Sequence, residues 1–402
     1  MLRFPFVSLH DYEAENYGGY ALGRWSHTFS STSDLRLQFY YDLSEVRSKI
    51  ADWAVHTLDA DLQHRFQLGE RHEITWGGSV RFHQYGEIET AVTLVEVPDV
   101  NNDTLLTAFV QDSITLVGDR FHLIFGSKFE HNDYTGFEIQ PNARLLWTPE
   151  ENKSVWAAVS RAVRTPSSAE ELAHINQWSF LSGIPALFDF KTNGGFDSED
   201  VLAYELGTRF QAYPSLWIDL AGFYNIYDEL RSAEFGEPRF EPLPFPHLVI
   251  PGTFSNKLRG NTYGFELASE WDASKWLRFK AAYTFLIMDL EAESDSRDTS
   301  ADIQEDMNPK HQLSLRCLMD LPHDVKLDLW LRYVDSIPAS DIDSYVAGDV
   351  RVAWKVSKNL EASIVGRNLF SDHHSEFKSS LLLYSSPTDV ERSVYGKLTW
   401  EF

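Results

Sequence analysis

The sequence predicts an all-β protein, an antiparallel transmembrane β-barrel. Three observations carry the prediction: alternation of apolar and polar residues recurs from end to end, connections alternate between tight and long, and the chain stops on an aromatic residue in mid-pattern. In the closing stretch SVYGKLTWEF, Val394, Gly396, Leu398, Trp400 and Phe402 share one parity, and Ser393, Tyr395, Lys397, Thr399 and Glu401 share the other. That period belongs to a strand with one apolar and one polar face. A soluble domain usually finishes in a polar, frayed tail instead.

Composition fits the same class. Of 402 residues, 43% are hydrophobic and 14% aromatic, too many for a disordered chain, yet the mean hydropathy is only -0.31. The apolar residues are diluted by alternation. No window approaches the roughly 18 consecutive apolar residues that a spanning helix needs, whereas a barrel strand crosses with about 9 to 11 residues, of which every second one is apolar. A formal net charge of -25 leaves no cationic face for phosphates and argues against nucleic acid as a partner. Cys317 stands alone, so neither an intrachain disulfide nor a thiolate metal site is expected. The opening MLRFPFVSLHDYEAEN lacks the charged start, apolar core and small-residue cleavage site of a secretory signal.

The elements follow in order from the alternation. In DLRLQFYYD, Leu35, Leu37, Phe39 and Tyr41 oppose Arg36, Gln38, Tyr40 and Asp42. In DVKLDLWLRYV, Val325, Leu327, Leu329, Leu331 and Tyr333 oppose Lys326, Asp328, Trp330 and Arg332. Similar faces surround Leu216, Ile218 and Leu220, then Leu277, Phe279 and Tyr283, then Leu313 and Leu315. The rule marks seventeen strands, near 18-30, 34-47, 52-66, 71-84, 104-117, 119-131, 136-148, 153-164, 200-211, 215-229, 259-271, 275-290, 308-320, 324-335, 344-356, 359-371 and 389-402. The tight connections are STS, QLGE, G, PEEN, AYP, DAS, LPH and SK; the long ones lie near 85-103, 165-199, 230-258, 291-307 and 372-388. All the long ones open at one end.

Short turns on the periplasmic side and long loops outside are the signature of an outer-membrane barrel. The last strand then faces lipid to its final residue, and Phe402 joins the interfacial aromatic girdle. Arg36, Arg278, Lys280, Lys326, Asp328 and Arg332 are expected to point into the lumen, since a midplane Arg or Lys facing hydrocarbon costs roughly 2 to 4 kcal/mol.

Several stretches, in order, resemble one family: GRWSHTFS, LRLQFYYD, LDADLQHRF, FVQDSITL, GSKFEHNDYTGFEIQPNARLLWTP, WAAVSRAVRTPS, LAYELGTRFQ, DLAGFYNIYDELRS, NKLRGNTYGFELASEW, GRNLF and the closing strand. The chain looks like the barrel of a TonB-dependent outer-membrane receptor of Gram-negative bacteria. The resemblance implies uptake of a large nutrient, such as a ferric siderophore or cobalamin, energised through TonB. It also implies outer-membrane lipid and lipopolysaccharide around the wall, and barrel assembly machinery that reads the carboxyl-terminal strand, Leu398, Trp400 and Phe402. Members of that family carry a signal peptide, a TonB-binding motif, a plug and 22 strands. Against that pattern residues 1-402 are expected to be one barrel domain, amino-terminally truncated, with no plug and no signal peptide, so that the TonB system would act only through the missing part. Seventeen is odd, and the first and last strands run in the same sense, so they cannot close antiparallel.

The long loops hold the candidate ligand residues. The segment 165-199 carries Trp178, Phe180, Phe188 and Phe190, which form either an apolar platform for a ligand or the packing of the loop on itself. The stretch RSAEFGEPRFEPLPFPHLVIPG reads as a vestibule wall or as strand-stopping prolines. In EAESDSRDTSADIQED, Glu291, Glu293, Asp295, Asp298, Asp302, Glu305 and Asp306 lack the fixed calcium loop with its Gly turn and read as solvated charge. Asp372, His373 and His374 are neighbours, and adjacent strand residues point to opposite faces, which opposes one shared ion. In RAVRTPSS, Arg161, Arg164, Thr165 and Pro166 are assigned to strand ending and lumen lining. No catalytic residue and no cofactor is assigned: there is no G-x-S-x-G elbow, phosphate loop or dinucleotide fingerprint. A passive pore without a plug and a non-functional fragment stand as alternatives to the receptor. An outer-membrane enzyme would need Ser, His and acid groups at one membrane height.

Overall fold

The computed structural model describes residues 14-48, 51-86, 89-90, 94-96, 102-118, 120-172, 174-181, 183-192, 194-377 and 388-402. Seventeen long strands make one antiparallel wall, each paired with its neighbours in chain order. They are β1 (Glu15–Ser30), β2 (Ser33–Arg47), β3 (Ala51–Leu68), β4 (His72–Tyr85), β5 (Asn102–Thr115), β6 (Phe121–Asn132), β7 (Gly136–Glu150), β8 (Lys153–Arg164) and β9 (Glu199–Tyr213). After them come β10 (Leu216–Phe235), β11 (His247–Ser274), β12 (Leu277–Ala292), β13 (His311–Leu321), β14 (Val325–Val334), β15 (Tyr345–Ser357), β16 (Leu360–Arg367) and β17 (Ser393–Trp400). Each matches one strand read from the alternation. The turns after β1, β3, β5, β7, β9, β11, β13 and β15 are all tight and close one end, from Gly69 (φ 67°) after β3 to His323 and Asp324 (φ 65° and 58°) after β13. At the other end the connection 133-135 between β6 and β7 is tight as well.

The wall is apolar outside. Phe39, Ala60, Val80 and Leu106 lie directly opposite one another across β2 to β5, as do Leu220, Leu267, Tyr283 and Leu313 across β10 to β13. Leu206 is 62% exposed and Ile364 64%. Exposed apolar area on this scale far exceeds the few hundred Å² that a soluble monomer tolerates, so the outer face must meet hydrocarbon. No helix among the described residues is long and apolar enough to cross a membrane, and crossing falls to the strands.

The inner face is charged and paired. Asp34 stands opposite Arg65, Asp59 opposite Arg81, Asp219 opposite Arg209, Glu270 opposite Lys280 and Asp272 opposite Arg278. The side chains meet: Arg65 reaches Asp34, Arg278 reaches Asp272 and Arg316 reaches Asp328, each at 2.5 Å. Trp330 sits on this face with the Arg332 guanidinium 4.2 Å above its ring. Each such exposed pair is worth about 0.2 to 1 kcal/mol, so their larger effect is to fix which face turns inward.

Among the described residues β1 pairs only with β2, and β17 only with β16. No ladder joins β1 to β17. The first and last strands run in the same sense, as read from the odd count, which excludes an antiparallel ladder between them.

The long connections hold further short strands that the alternation rule did not mark. β10 and β11 run beyond their expected bounds, to Phe235 and back to His247, because their ladder continues past a bulge at Tyr227–Leu230 that breaks the parity. Within 165-199, a helical turn Ser168–Leu172 precedes a hairpin of His174–Leu181 and Ile184–Lys191, turned at Gly183 (φ 86°). Most of the buried apolar core lies here: Ala186, Phe190, Phe196, Val249, Ile250 and Leu258. The protein keeps its water-type core in the loops and turns its wall inside out.

Candidate functional site

The hairpin His174–Leu181/Ile184–Lys191 joins two distant parts of the rim. On one side Ile175 pairs with Val95 of the β4–β5 connection. On the other, Ala186 to Phe190 run parallel to Leu248 to Gly252 at the start of β11, whose far edge takes the short strand Arg239–Glu241. Three strand spacings, about 14 Å, thus connect the β4–β5 loop to β11, whereas the wall from β5 to β11 takes six, about 29 Å. The shorter row is a chord across the concave side of the wall. It roofs part of the lumen at the long-loop end.

Register sorts the candidate aromatics. Trp178 lies opposite Leu187, and Gln177 opposite Phe188, so Trp178 projects from one face of the hairpin and Phe188 and Phe190 from the other. Trp178 packs on His247 and Phe245, at ring distances of 4.9 and 5.1 Å. Phe188 meets the edge of Phe235 at 6.4 Å. Phe190, 4% exposed, lies between Phe235 at 5.4 Å and Phe254 at 5.3 Å. Phe180 pairs in register with Pro185. Trp178, Phe188 and Phe190 are split between two clusters, and the hairpin is their common support.

A Cβ on Gly252 would fall 2.6 Å from the Phe190 ring, so the parallel pairing depends on a glycine there. Phe190→Leu is expected to lower the stability of this loop sheet by about 1 kcal/mol. Hydrogen exchange of the 184-191 amides should accelerate roughly fivefold, and unchanged exchange would show that the ring does not hold the hairpin.

Phe235 and Phe254 continue into a cavity of about 480 Å³, which Glu170, Gly195, Thr253, Lys257, Asp295 and Arg297 also line. The volume lies within the range of small-molecule pockets, about 300 to 1,000 Å³. Its floor is stitched by charge. Arg164 at the outer end of β8 donates to both carboxylates beside it, to Glu199 at 2.6 and 2.8 Å and to Glu170 at 2.9 and 3.0 Å. Arg231 of β10 donates to Glu170 at 2.8 Å through its side chain and to Glu199 at 2.9 Å through its N–H. The N–H and hydroxyl of Ser167 donate to Glu170 at 2.9 and 3.0 Å. Burial alone would raise the Glu170 carboxyl; the Arg164 guanidinium and the two Ser167 donors outweigh it and hold it down at about 2. Arg164 therefore does more than end a strand. It clamps the loop to the rim, while Arg161 of the same stretch pairs with Asp200 at 2.5 Å.

Glu171 accepts from the N–H groups of Gly195 and Phe196 at 2.7 and 3.0 Å. Gly194 and Gly195 there have φ of 71° and 80°, conformations open to glycine at no steric cost. Across the cavity, Glu234 accepts from Ser232, Ser296 and the Arg297 N–H, at 2.7, 2.7 and 2.6 Å. Asp298 is buried and accepts from the Ala233 and Ser300 N–H groups, both at 2.6 Å. Glu305 accepts from the Leu290 N–H. The acidic stretch 291-306 was expected to be solvated charge, and the structure corrects this for Asp298 and Glu305: they satisfy loop backbone donors that would otherwise be orphaned.

Near the last loop, His374 stacks on Tyr345 at 4.1 Å and lies 2.9 Å from Glu376, while His373 is 3.9 Å from Asp389. The two rings take separate partners. Among the described residues no three of His, Cys, Asp and Glu are grouped to hold a metal ion.

Residues 5–369 match the model of the "TonB dependent receptor-like, beta-barrel" family. A variant of the ferric enterobactin receptor of Pseudomonas aeruginosa superposes with a TM-score of 0.73 at 15% identity, over 97% of this chain and 62% of that one. The siderophore receptor PirA of Acinetobacter baumannii gives 0.71 at 13%, over 97% and 63%. The ferric-catecholate import receptor Fiu of Escherichia coli K12 gives 0.70 at 11%, over 96% and 64%. The chain thus spans less than two thirds of these solved structures. No curated protein matches it.

Proposed function

We propose that this chain, which belongs to the TonB-dependent receptor-like β-barrel family, forms the wall and outward loops of an outer-membrane receptor that takes up a large metal chelate of siderophore type. One observation carries the reading: an inside-out wall whose long loops, all at one end, fold into a buttressed roof around a cavity. A passive pore needs no such roof, and a fragment without function has no reason to keep the Arg164–Glu170–Arg231 clamp. Transport is the activity that the roofed cavity serves. The energy source is the TonB system. The ligand enters from the long-loop side, where Trp178 and Phe188 lie on the two faces of the hairpin.

Uptake of a radiolabelled ferric chelate by cells expressing the whole receptor that carries this barrel tests this. Accumulation should depend on both the protein and a functional TonB. Accumulation that persists without TonB, together with a steady ohmic conductance in a planar bilayer, would instead establish the passive pore, which the ion-pair-lined inner face favours.

The carboxyl-terminal strand is assigned to assembly. Leu398 and Trp400 are 75% and 71% exposed on the outer face, and among the described residues β17 pairs only with β16. Outward aromatics at the short-turn end suit the membrane interface. Deleting Phe402 is expected to reduce several-fold the fraction of protein that reaches the compact, heat-modifiable form on electrophoresis. An undiminished fraction would remove that role.

A further inference from the structure

We infer that the loop cavity takes a metal chelate of net charge near zero and discriminates against polyanionic chelates; this rests on the receptor reading above. A chelate with three negative charges needs several cations free to face it, in the manner that clustered Arg and Lys hold phosphates and carboxylates. Here Lys257, which lines the cavity, and the neighbouring Arg164 and Arg231 behind its lining are already committed. Arg164 is bidentate to two carboxylates, and Arg231 is held by Glu170 and lies over the Phe254 ring at 5.6 Å. Lys257 is bound to Asp295 at 2.7 Å. Of the two cations that line the cavity among the described residues, Arg297 is the one whose guanidinium has no carboxylate partner there, its side chain meeting the Phe235 carbonyl at 3.5 Å.

The lining adds negative charge of its own. Glu170, Glu234 and Asp295 line the cavity against Lys257 and Arg297, and Lys257 is tied to Asp295, so a polyanion entering would face three carboxylates with one uncommitted guanidinium to offset them. Like-charge juxtaposition across an interface costs several kcal/mol and is a common source of discrimination. What remains suits a neutral surface: ring faces of Phe235 and Phe254, and the polar residues Thr253 and Ser255. These recognise amide-rich, uncharged coordination shells by apolar contact and hydrogen bonding.

The test titrates the purified full chain in detergent micelles, with folding checked by heat-modifiable mobility, against three probes read by tryptophan fluorescence. They are a neutral ferric tris-hydroxamate, a ferric tris-hydroxamate bearing one free ammonium, and a ferric tris-catecholate of charge minus three. The neutral and monocationic probes should bind at least tenfold more tightly than the tris-catecholate. Asp295→Asn, at an exposed position, releases Lys257 and should tighten the tris-catecholate three- to tenfold while weakening the monocation. Tighter binding of the tris-catecholate by the unaltered chain overturns the charge assignment and leaves the receptor reading standing. Failure of all three probes to bind the folded chain overturns both. Binding of the neutral probe that survives Thr253→Trp, which fills the cavity, places the ligand elsewhere and overturns the assignment of this site.

Discussion

Replacing Glu170 by Ala is expected to release the loop 165-198 from the rim, raising its cleavage by added protease roughly 30- to 150-fold. Glu170 is 7% exposed and receives hydrogen bonds from Arg164, Arg231 and Ser167. Breaking a buried ion pair costs about 3 to 5 kcal/mol because the surviving charges stay uncompensated. Arg164 and Arg231 keep about half of their side-chain surface in water, which screens them and brings the expected loss down to about 2 to 3 kcal/mol. That figure converts to the stated factor when cleavage follows the population of the opened loop. Glu170→Gln retains acceptor oxygen but not charge, and should fall between Ala and the native residue.

Acid should reproduce the effect in the unaltered chain. A carboxyl held at about 2 against an ordinary 4.5 contributes its full stability above pH 4.5 and loses it as pH falls from there through 2. Protease resistance of the loop, followed with an acid-active protease, should therefore hold constant above that window and decline within it. A loop equally resistant in E170A, or one that opens only above neutral pH, would show that the clamp does not anchor it.

The wall was legible in the sequence for a simple reason. Lipid on one side and an aqueous lumen on the other impose a strict two-residue period on every spanning strand, and the seventeen strands inherit it. Lys326, Asp328 and Arg332 could be assigned inward because hydrocarbon penalises charge more strongly than any local preference acts. The roof obeyed no such rule. In His174–Leu181 and Ile184–Lys191 both faces pack on protein, so Ile175, Trp178, Ala186 and Phe190 do not alternate with charge. Their partners, Val95 and Leu248 to Gly252, lie far off in sequence, and only Gly183 and the run of aromatics marked a hairpin. Arg164 was read as a strand end, and Glu170 was not singled out at all. The one available signal was the spacing of Arg164, Ser167 and Glu170 across a strand-to-helix turn, which resembles a capping pattern more than a clamp. Long-range charge pairing leaves no period to read.

Leu267→Arg is expected to destabilise the wall by about 2 to 4 kcal/mol in a bilayer, while Glu266→Arg, one residue away, should cost less than about 1 kcal/mol. The two positions share strand β11, the same depth and the same new side chain. They differ in face alone. Leu267, 39% exposed, sits between Leu220 and Tyr283 in the outer row, where a guanidinium must either desolvate or drag water and headgroups inward. Glu266 lies opposite Ala221 and Thr284 on the inner face, with Arg-bearing ion pairs already along the same surface. Denaturant unfolding of the vesicle-reconstituted chain measures the difference, which should appear as a lower midpoint for the outward substitution with an unchanged slope. If both variants unfold alike, the outer face is not in hydrocarbon. The wall would then be a water-exposed sheet, and its rows of bare Leu, Phe and Val would require a protein partner to cover them.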